Sequence, residues 1–171
     1  PMHRGPSGIA NINRSIQQKL NDGSKPVFEN TVREIRVKFH AGDKVIQTSN
    51  NYALGIMNGD IGTILRENVN RIIVDFDGRE VAYEALEAYD LDLAYAISIH
   101  KSQGSEYSAV IIPVTADHIH MLTRNLVYTG ITRGKVKVIL IGDRNSFRKA
   151  IANSARDFRY TDLVTRINSA N

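Results

Sequence analysis

Near the start of the chain, apolar residues recur at helical spacing: Ile9, Ile12, Ile16 and Leu20. Intervals of three and four place them on one side of a helix. Ser7 stands in front as a candidate cap, and Asn21-Asp22-Gly23-Ser24 ends the pattern with turn-forming residues. A polar, extended stretch then runs to about Arg36. Beyond it the texture changes to short β segments, Lys44 to Thr48, Gly62 to Arg66, Arg71 to Phe76 and Arg79 to Tyr83. Asp77-Gly78 suits a tight hairpin, because both central positions need a positive φ that Gly tolerates and Asp nearly does. Asn58-Gly59 marks another turn. Four or five short strands between residues 36 and 90 predict a small barrel, too compact to enclose an enzyme pocket.

After Leu91 the pattern alternates between α and β. Ala94 to Gln103 runs into Gly104, Ala109 to Val114 reads as a buried strand, and Met121 to Arg133 as a helix. Val136 to Ile141 is a second buried strand, and Asp143 caps a helix running to about Ala152. A last amphipathic turn carries Leu163 and Ile167. Apolar strands without alternation, interleaved with helices, predict a parallel sheet covered on both faces. The fold class is therefore α/β. One domain is built from residues 1–35 and 91–171, with the β-rich segment 36–90 inserted between them.

Composition narrows the chemistry. With 171 residues, 42% of them hydrophobic and 23% charged, the chain is an ordinary globular one that can bury a core without a disulfide or a metal staple. It has no cysteine, which excludes thiolate metal sites and fits a reducing cytoplasm. A net charge of +4 and a pI near 9.4 permit nucleic-acid binding without demonstrating it. No apolar run approaches the roughly 20 residues of a membrane helix, and residues 1–20 lack a signal-peptide pattern, so no membrane partner is expected. Pro1 precedes Met2, and the chain reads as a piece of a longer protein.

A self-contained ATPase needs a glycine-rich loop ending in Lys-Ser or Lys-Thr. The nearest approach, Gly130 to Val136, has its glycine one position too close and valine where the hydroxyl belongs. Gly104-Ser105 is followed by Glu106-Tyr107, so no nucleophile elbow exists either. His118 and His120 without any cysteine do not make a zinc site, and Ser102, His100 and Glu106 are sequence neighbours without relay geometry. No metal ligand is expected within the chain.

Three polar segments resist explanation as packing. Pro1-Met2-His3-Arg4-Gly5-Pro6-Ser7-Gly8 fixes an irregular loop and sets Arg4 near a helix N-terminus, where anions are attracted; a solvated arginine is the plainer reading. Ser98 to Glu106 joins two buried segments at the kind of junction where ligands bind in open α/β sheets. There Lys101 and His100 can meet phosphate or a base, and Gln103 and Glu106 can bond a sugar or phosphate; a surface loop is the alternative. In Arg124 to Lys135, Asn125, Thr129 and Arg133 align along one helical stripe with Thr132 beside them, ready to present a guanidinium to phosphate or simply to face solvent.

Taken in order, these segments resemble motifs IV, V and VI of superfamily 1 helicases, most of all the RecD type, the family of the exodeoxyribonuclease V alpha subunit. Pro1 to Gly8 is similar to the family's Pro-Met-x-x-Gly-Pro-x-Gly, Ala94 to Glu106 to its motif V, and Tyr128 to Lys135 to its motif VI. Gly42 to Gln47, with Asn51-Tyr52 and Asn58 to Gly62, resembles the start of the family's SH3-like insert, and Arg159 to Ile167 its C-terminal end. Gly130 and Gly134 stand where the family usually has alanine.

The resemblance implies the second, RecA-like motor domain of an ATP-dependent DNA helicase moving 5′→3′, inactive alone because the Walker A and Walker B motifs are missing. Arg133 would be the catalytic arginine finger. Arg4, Gln103, Gly104, Glu106 and Thr132 would join it at the nucleotide. His100, Lys101 and Ser102, with Asn51, Tyr52 and Asn58 of the insert, would touch single-stranded DNA. The implied partners are ATP, single-stranded DNA, the N-terminal motor domain of the same protein, which would hold Mg2+, and the subunits of a nuclease complex. The helicase segment of a conjugative relaxase shares these motifs, and a non-catalytic nucleic-acid-binding module is the rival from another class.

Overall fold

The structure is a computed structural model that describes residues 5, 7–21, 26–32, 35–68, 71–84 and 86–153. Arg4 and the rest of Pro1 to Arg4, the turn residues Asp22 to Ser24, and the tail with Leu163 and Ile167 lie outside the described residues.

Helix α1 spans Ile9–Leu20, but Gly8 rather than Ser7 is its N-cap; the Ser7 hydroxyl donates instead to Asp117 (3.2 Å). The expected apolar stripe is only partly inward. Ile9 is buried, whereas Leu20 is 68% exposed, and the other buried positions are Asn13 and Gln17. Residues 9, 13 and 17 lie one turn apart, so a polar row faces the protein. Each amide has partners that satisfy it. Asn13 donates to the Leu93 and Ala96 carbonyls (2.9 and 3.1 Å) and accepts from the Ala96 amide (2.7 Å). Gln17 donates to the Lys38 carbonyl (2.7 Å) and to Asp43 (2.5 Å).

The stretch read as extended and polar is a hairpin. Strand β1 (Phe28–Val32) pairs antiparallel with β2 (Ile35–Phe39), Phe28 opposite Phe39 and Glu29 opposite Lys38. Cross-strand ion pairs of Glu29 with Arg36 and with Lys38 (3.6 Å) occupy one face. The Phe28 and Phe39 rings pack 5.9 Å apart on the other.

Strands β3 (Lys44–Gln47), β4 (Ile61–Asn68), β5 (Arg71–Phe76), β6 (Arg79–Glu84) and β7 (Leu91–Leu93) form one antiparallel sheet in the order β6-β5-β4-β3-β7. The β5–β6 turn is as expected: Asp77 and Gly78 both have positive φ (51° and 89°), and Phe76 pairs with Arg79. The closure of a barrel is not seen. Between the two edge strands the described chain makes a 3-10 turn, Glu87–Asp90, that buries Ala88. The core of this unit (Phe39, Val45, Ile64, Val74, Tyr83) also draws in Val27 and Phe28 before residue 36, and Leu91 and Leu93 after residue 90.

The parallel pairing is present: β8 (Tyr107–Val114) runs beside β9 (Gly134–Gly142), with Val110 opposite Val138 and Ile112 opposite Leu140. Helix α2 (Arg124–Ile131) and helix α3 (Arg144–Ala152) cover one face through Ile112, Val114, Leu122, Val127 and Ala150. Coverage of both faces was expected. Among the described residues the second face carries Ile111 and Ile141, 62% and 55% exposed. Helix α2 is shorter than the apolar pattern predicts, because Thr123 caps it by accepting the Leu126 amide (3.2 Å) and residues 116–118 form a separate 3-10 turn. Asp143 caps α3 as expected, accepting the Ser146 amide at 2.7 Å. His118 is buried beside Thr115 and belongs to this packing (Nδ1 to Oγ1, 3.3 Å).

Candidate functional site

The segment from Ser98 to Glu106 is a chain of tight turns between β7 and β8. Its amides are satisfied locally: Ser102 N donates to the Ser98 and Ile99 carbonyls (3.1 and 3.2 Å), Gln103 N to His100 O (3.2 Å) and Ser105 N to Ser102 O (3.1 Å). Ser102 is buried, and its hydroxyl donates to the Ile99 carbonyl (2.7 Å), so this side chain holds the turn from within. Gly104 has φ +85°, a conformation that favours glycine, and it leaves Gln103, Gly104 and Glu106 exposed at the tip. His100 is exposed as well. The three bonds of Asn13 to Leu93 and Ala96 clamp the chain just before this segment, so α1 fixes where the turn begins.

Arg133 lies beyond the end of α2, after its C-cap Thr132, not on the helix itself. It still reaches back one turn: Nε donates to the Thr129 carbonyl (3.3 Å), while Nη1 donates to the Ser105 carbonyl (3.1 Å) and Nη2 to Thr132 Oγ1 (3.3 Å). The Arg133 carbonyl accepts the Tyr107 amide (2.8 Å). Two segments some thirty residues apart are thus joined through one guanidinium. Beside it, Lys135 pairs with Glu106 at 2.9 Å. The Glu106 carboxyl is held below its ordinary range, first by the Lys135 bond and charge and further by Arg133 nearby. The half-buried Arg133 and the exposed Lys135 thus meet the turn at Ser105 and Glu106.

Gly130 and Gly134 are explained by close approach. A Cβ on Gly130 would sit 3.0 Å from Ile112 Cδ1, and one on Gly134 2.5 Å from Val138 Cγ2. Gly134 opens β9, so helix propensity has no bearing on it.

On the other side of the Ser98–Glu106 segment, Lys101 and Asn58 line one cleft of about 330 Å³ together with Thr31, Thr48, Tyr89, Leu91 and Asp92. Two residues expected at DNA, Asn58 and Lys101, therefore line the same cleft. Asn51 and Tyr52 do not line it. Asn51 bridges to Ile56 and accepts the Leu54 amide (3.1 Å), and Tyr52 stands 76% exposed on the same small turn. Sequence reading missed Thr31, Thr48, Tyr89 and Asp92, which come from three separate places in the chain. It also missed the Ser105 carbonyl, because a backbone acceptor carries no residue signature.

Two family models match parts of the chain. Residues 93–141 match the UvrD-like helicase C-terminal domain, and residues 12–76 match the SH3 domain of ATP-dependent RecD-like DNA helicases. The ATP-dependent RecD2 DNA helicase of Deinococcus radiodurans is 37% identical over 98% of this chain. The chain belongs to the RecD-type superfamily 1 helicases.

RecD, a subunit of the RecBCD enzyme of Mycobacterium tuberculosis, is 33% identical over 98% of the chain, and the conjugal transfer protein TraA of Agrobacterium fabrum is 35% identical over 80% of it. The chain spans only 22%, 28% and 12% of these three relatives. The crystal structure of a Bacteroides Pif1 helicase in complex with ADP-AlF3 and single-stranded DNA superposes with a TM-score of 0.65 at 18% identity, covering 99% of this chain and 47% of that one. At that identity the likeness speaks for the fold alone.

Proposed function

We propose that this chain is the second motor segment of a longer ATP-dependent 5′→3′ DNA helicase. In this reading it supplies one wall of the ATP site and part of the path for single-stranded DNA. The observation that carries the reading is the Arg133 guanidinium spanning Thr129 and Ser105 beside the Glu106–Lys135 pair. A purely binding module has no need for an arginine held between these two segments. Gln103, Gly104, Glu106 and Thr132 border the same edge, and Arg4 is assigned there with them by resemblance. Residues 36–90 act as an SH3-like insert in a RecA-like domain made from residues 1–35 and 91–171.

By resemblance, Mg2+ and the phosphate loop are assigned to the N-terminal motor domain, the chain's principal partner; nuclease-complex subunits are further partners in a RecBCD-like parent. A relaxase parent is the second reading, favoured by the likeness to the conjugal transfer protein. A phosphate loop directly preceded by a nicking domain in the parent would decide for it.

Residues 1–171 alone should show no ATP turnover with or without single-stranded DNA, since nothing in them cradles the phosphates. Turnover above background that disappears in Arg133→Ala would overturn the half-site reading.

DNA binding gives a separate test. If His100 and Lys101 face the strand, affinity of the full-length parent should fall with salt. Lys101→Ala should then flatten the slope of log K against log salt by about 0.7, the value for one phosphate on a single strand. An unchanged slope in the His100→Ala, Lys101→Ala double variant takes this segment off the DNA path.

A further inference from the structure

Tyr89 is the large aromatic side chain of the Lys101 cleft, 56% exposed, and its setting differs from that of a loose surface tyrosine. Its backbone is fixed from two sides. The Tyr89 carbonyl accepts from Asn30 Nδ2 (3.1 Å), and the next carbonyl, of Asp90, accepts both the amide and the hydroxyl of Thr48 (2.8 and 2.7 Å). Its ring stands edge-on to Phe28 (5.9 Å, 74°), and Phe28 in turn packs on the fully buried Phe39 (5.9 Å). The ring is therefore braced from behind and open towards solvent, so a flat ligand can settle on it with little further ordering.

Leu91 apart, the rest of the cleft is polar. Thr31, Thr48 and Asn58 offer hydrogen-bonding groups, Lys101 a cation and Asp92 a carboxylate, one oxygen of which accepts the Leu93 amide (2.8 Å). An aromatic platform beside a lysine is the pairing that single-stranded nucleic acid asks for, a π-face for the base and a charge for the phosphate. About 330 Å³ is room for an unstacked base with its sugar.

We propose that Tyr89 is a base-stacking residue, which makes the insert–motor junction a nucleotide-sized subsite for single-stranded DNA. This inference rests on the DNA path proposed above and adds a residue and a mode of contact to it. Stacking is neutral to sequence, since every base has a π-face, so the subsite grips without reading.

The test uses the full-length parent and a fluorescent oligothymidylate, with anisotropy read across a salt series. Tyr89→Ala is expected to weaken binding by about 5- to 150-fold with the salt slope unchanged, because stacking neutralises no phosphate. Tyr89→Phe is expected to bind as the parent does, since it keeps the ring and the Phe28 contact. A single abasic position walked along the oligonucleotide should weaken binding by the parent at one site and have no such effect on Tyr89→Ala. A folded Tyr89→Ala that binds like the parent, while Lys101→Ala still flattens the salt slope, overturns the stacking subsite and leaves the DNA path standing. If neither variant changes binding, the path itself is wrong and the subsite falls with it.

Discussion

Replacing Arg133 with alanine in the full-length parent is expected to lower kcat for ATP hydrolysis by about 10³- to 10⁵-fold, the range found for an arginine that stabilises charge on a transferred phosphoryl group. The affinity for single-stranded DNA should stay nearly constant. The reason lies in how the side chain is held. Its three nitrogens are spread over the Thr129 carbonyl, the Ser105 carbonyl and Thr132 Oγ1 at 3.1–3.3 Å, all neutral acceptors. Among the described ion pairs no carboxylate is bonded to it directly, and the nearby Glu106 is bonded to Lys135. Such a group is useful where negative charge develops, which raises kcat rather than ground-state binding. Arg133→Lys should rescue poorly, because an ammonium lacks the planar fork that spans two oxygens. If the arginine merely tied the end of α2 to Ser105, Arg133→Ala would shift stability by a fraction of a kcal/mol and leave turnover alone. Steady-state ATPase assays with saturating DNA separate the two outcomes, and a normal kcat would remove Arg133 from the reaction.

The parts of this fold legible from sequence were those in which local chemistry and tertiary packing ask for the same thing. The β5–β6 hairpin is one, since Asp77-Gly78 supplies both positive φ values and Ile72, Val74 and Phe76 supply an inner face. The Asp143 cap of α3 is another. Where burial is polar, the apolar pattern misleads. The inner face of α1 carries Asn13 and Gln17, while Leu20 points out, because amides with complete hydrogen bonding can be buried at little cost. The β1–β2 hairpin was hidden for a related reason: Glu29, Thr31, Arg36 and Lys38 alternate with its inward residues and make the stretch look uniformly polar. The exposure of Ile111 and Ile141 among the described residues could not be foreseen, since periodicity says that a strand is apolar and not what covers it.

The candidate site divides along the same line. The motif segments announce themselves as polar runs between buried ones, and their meeting through Arg133 and Ser105 agrees with their resemblance to motifs V and VI. The cleft does not announce itself, because Thr31, Thr48, Asn58, Tyr89 and Lys101 become neighbours only once hairpin, insert and motor segment are packed.

One buried carboxylate ties that packing together, and its removal should cost stability. Asp43 is fully buried and accepts from Gln17 (2.5 Å), Asn21 (2.7 Å), the His40 amide (2.8 Å) and the Tyr95 hydroxyl (2.8 Å). These donors come from α1, from the end of β2 and from the approach to the Ser98–Glu106 segment, so one side chain ties together three regions. Burial, followed by the bond to Asp43, pushes the Tyr95 phenol up to about 12.

In Asp43→Ala, Gln17 keeps the Lys38 carbonyl and Asn21 keeps the Ala41 carbonyl (2.7 and 2.9 Å). The His40 amide and the Tyr95 hydroxyl lose the acceptor they share. Both donors are only half-buried, so solvent takes up part of what they lose, and the cost is about 1–3 kcal/mol. Asp43→Asn should not restore it, since its amide nitrogen would turn a donor towards donors. The comparison is Asp117→Ala, an exposed carboxylate that accepts only from Ser7 among the bonds described, expected within about 0.5 kcal/mol of the parent. Urea unfolding of the chain, followed by far-UV circular dichroism, reads all three. A midpoint for Asp43→Ala as close to the parent's as that of Asp117→Ala would mean that α1 and the insert are held by apolar contact alone, with the amide row of Asn13 and Gln17 a consequence of the packing rather than its cause.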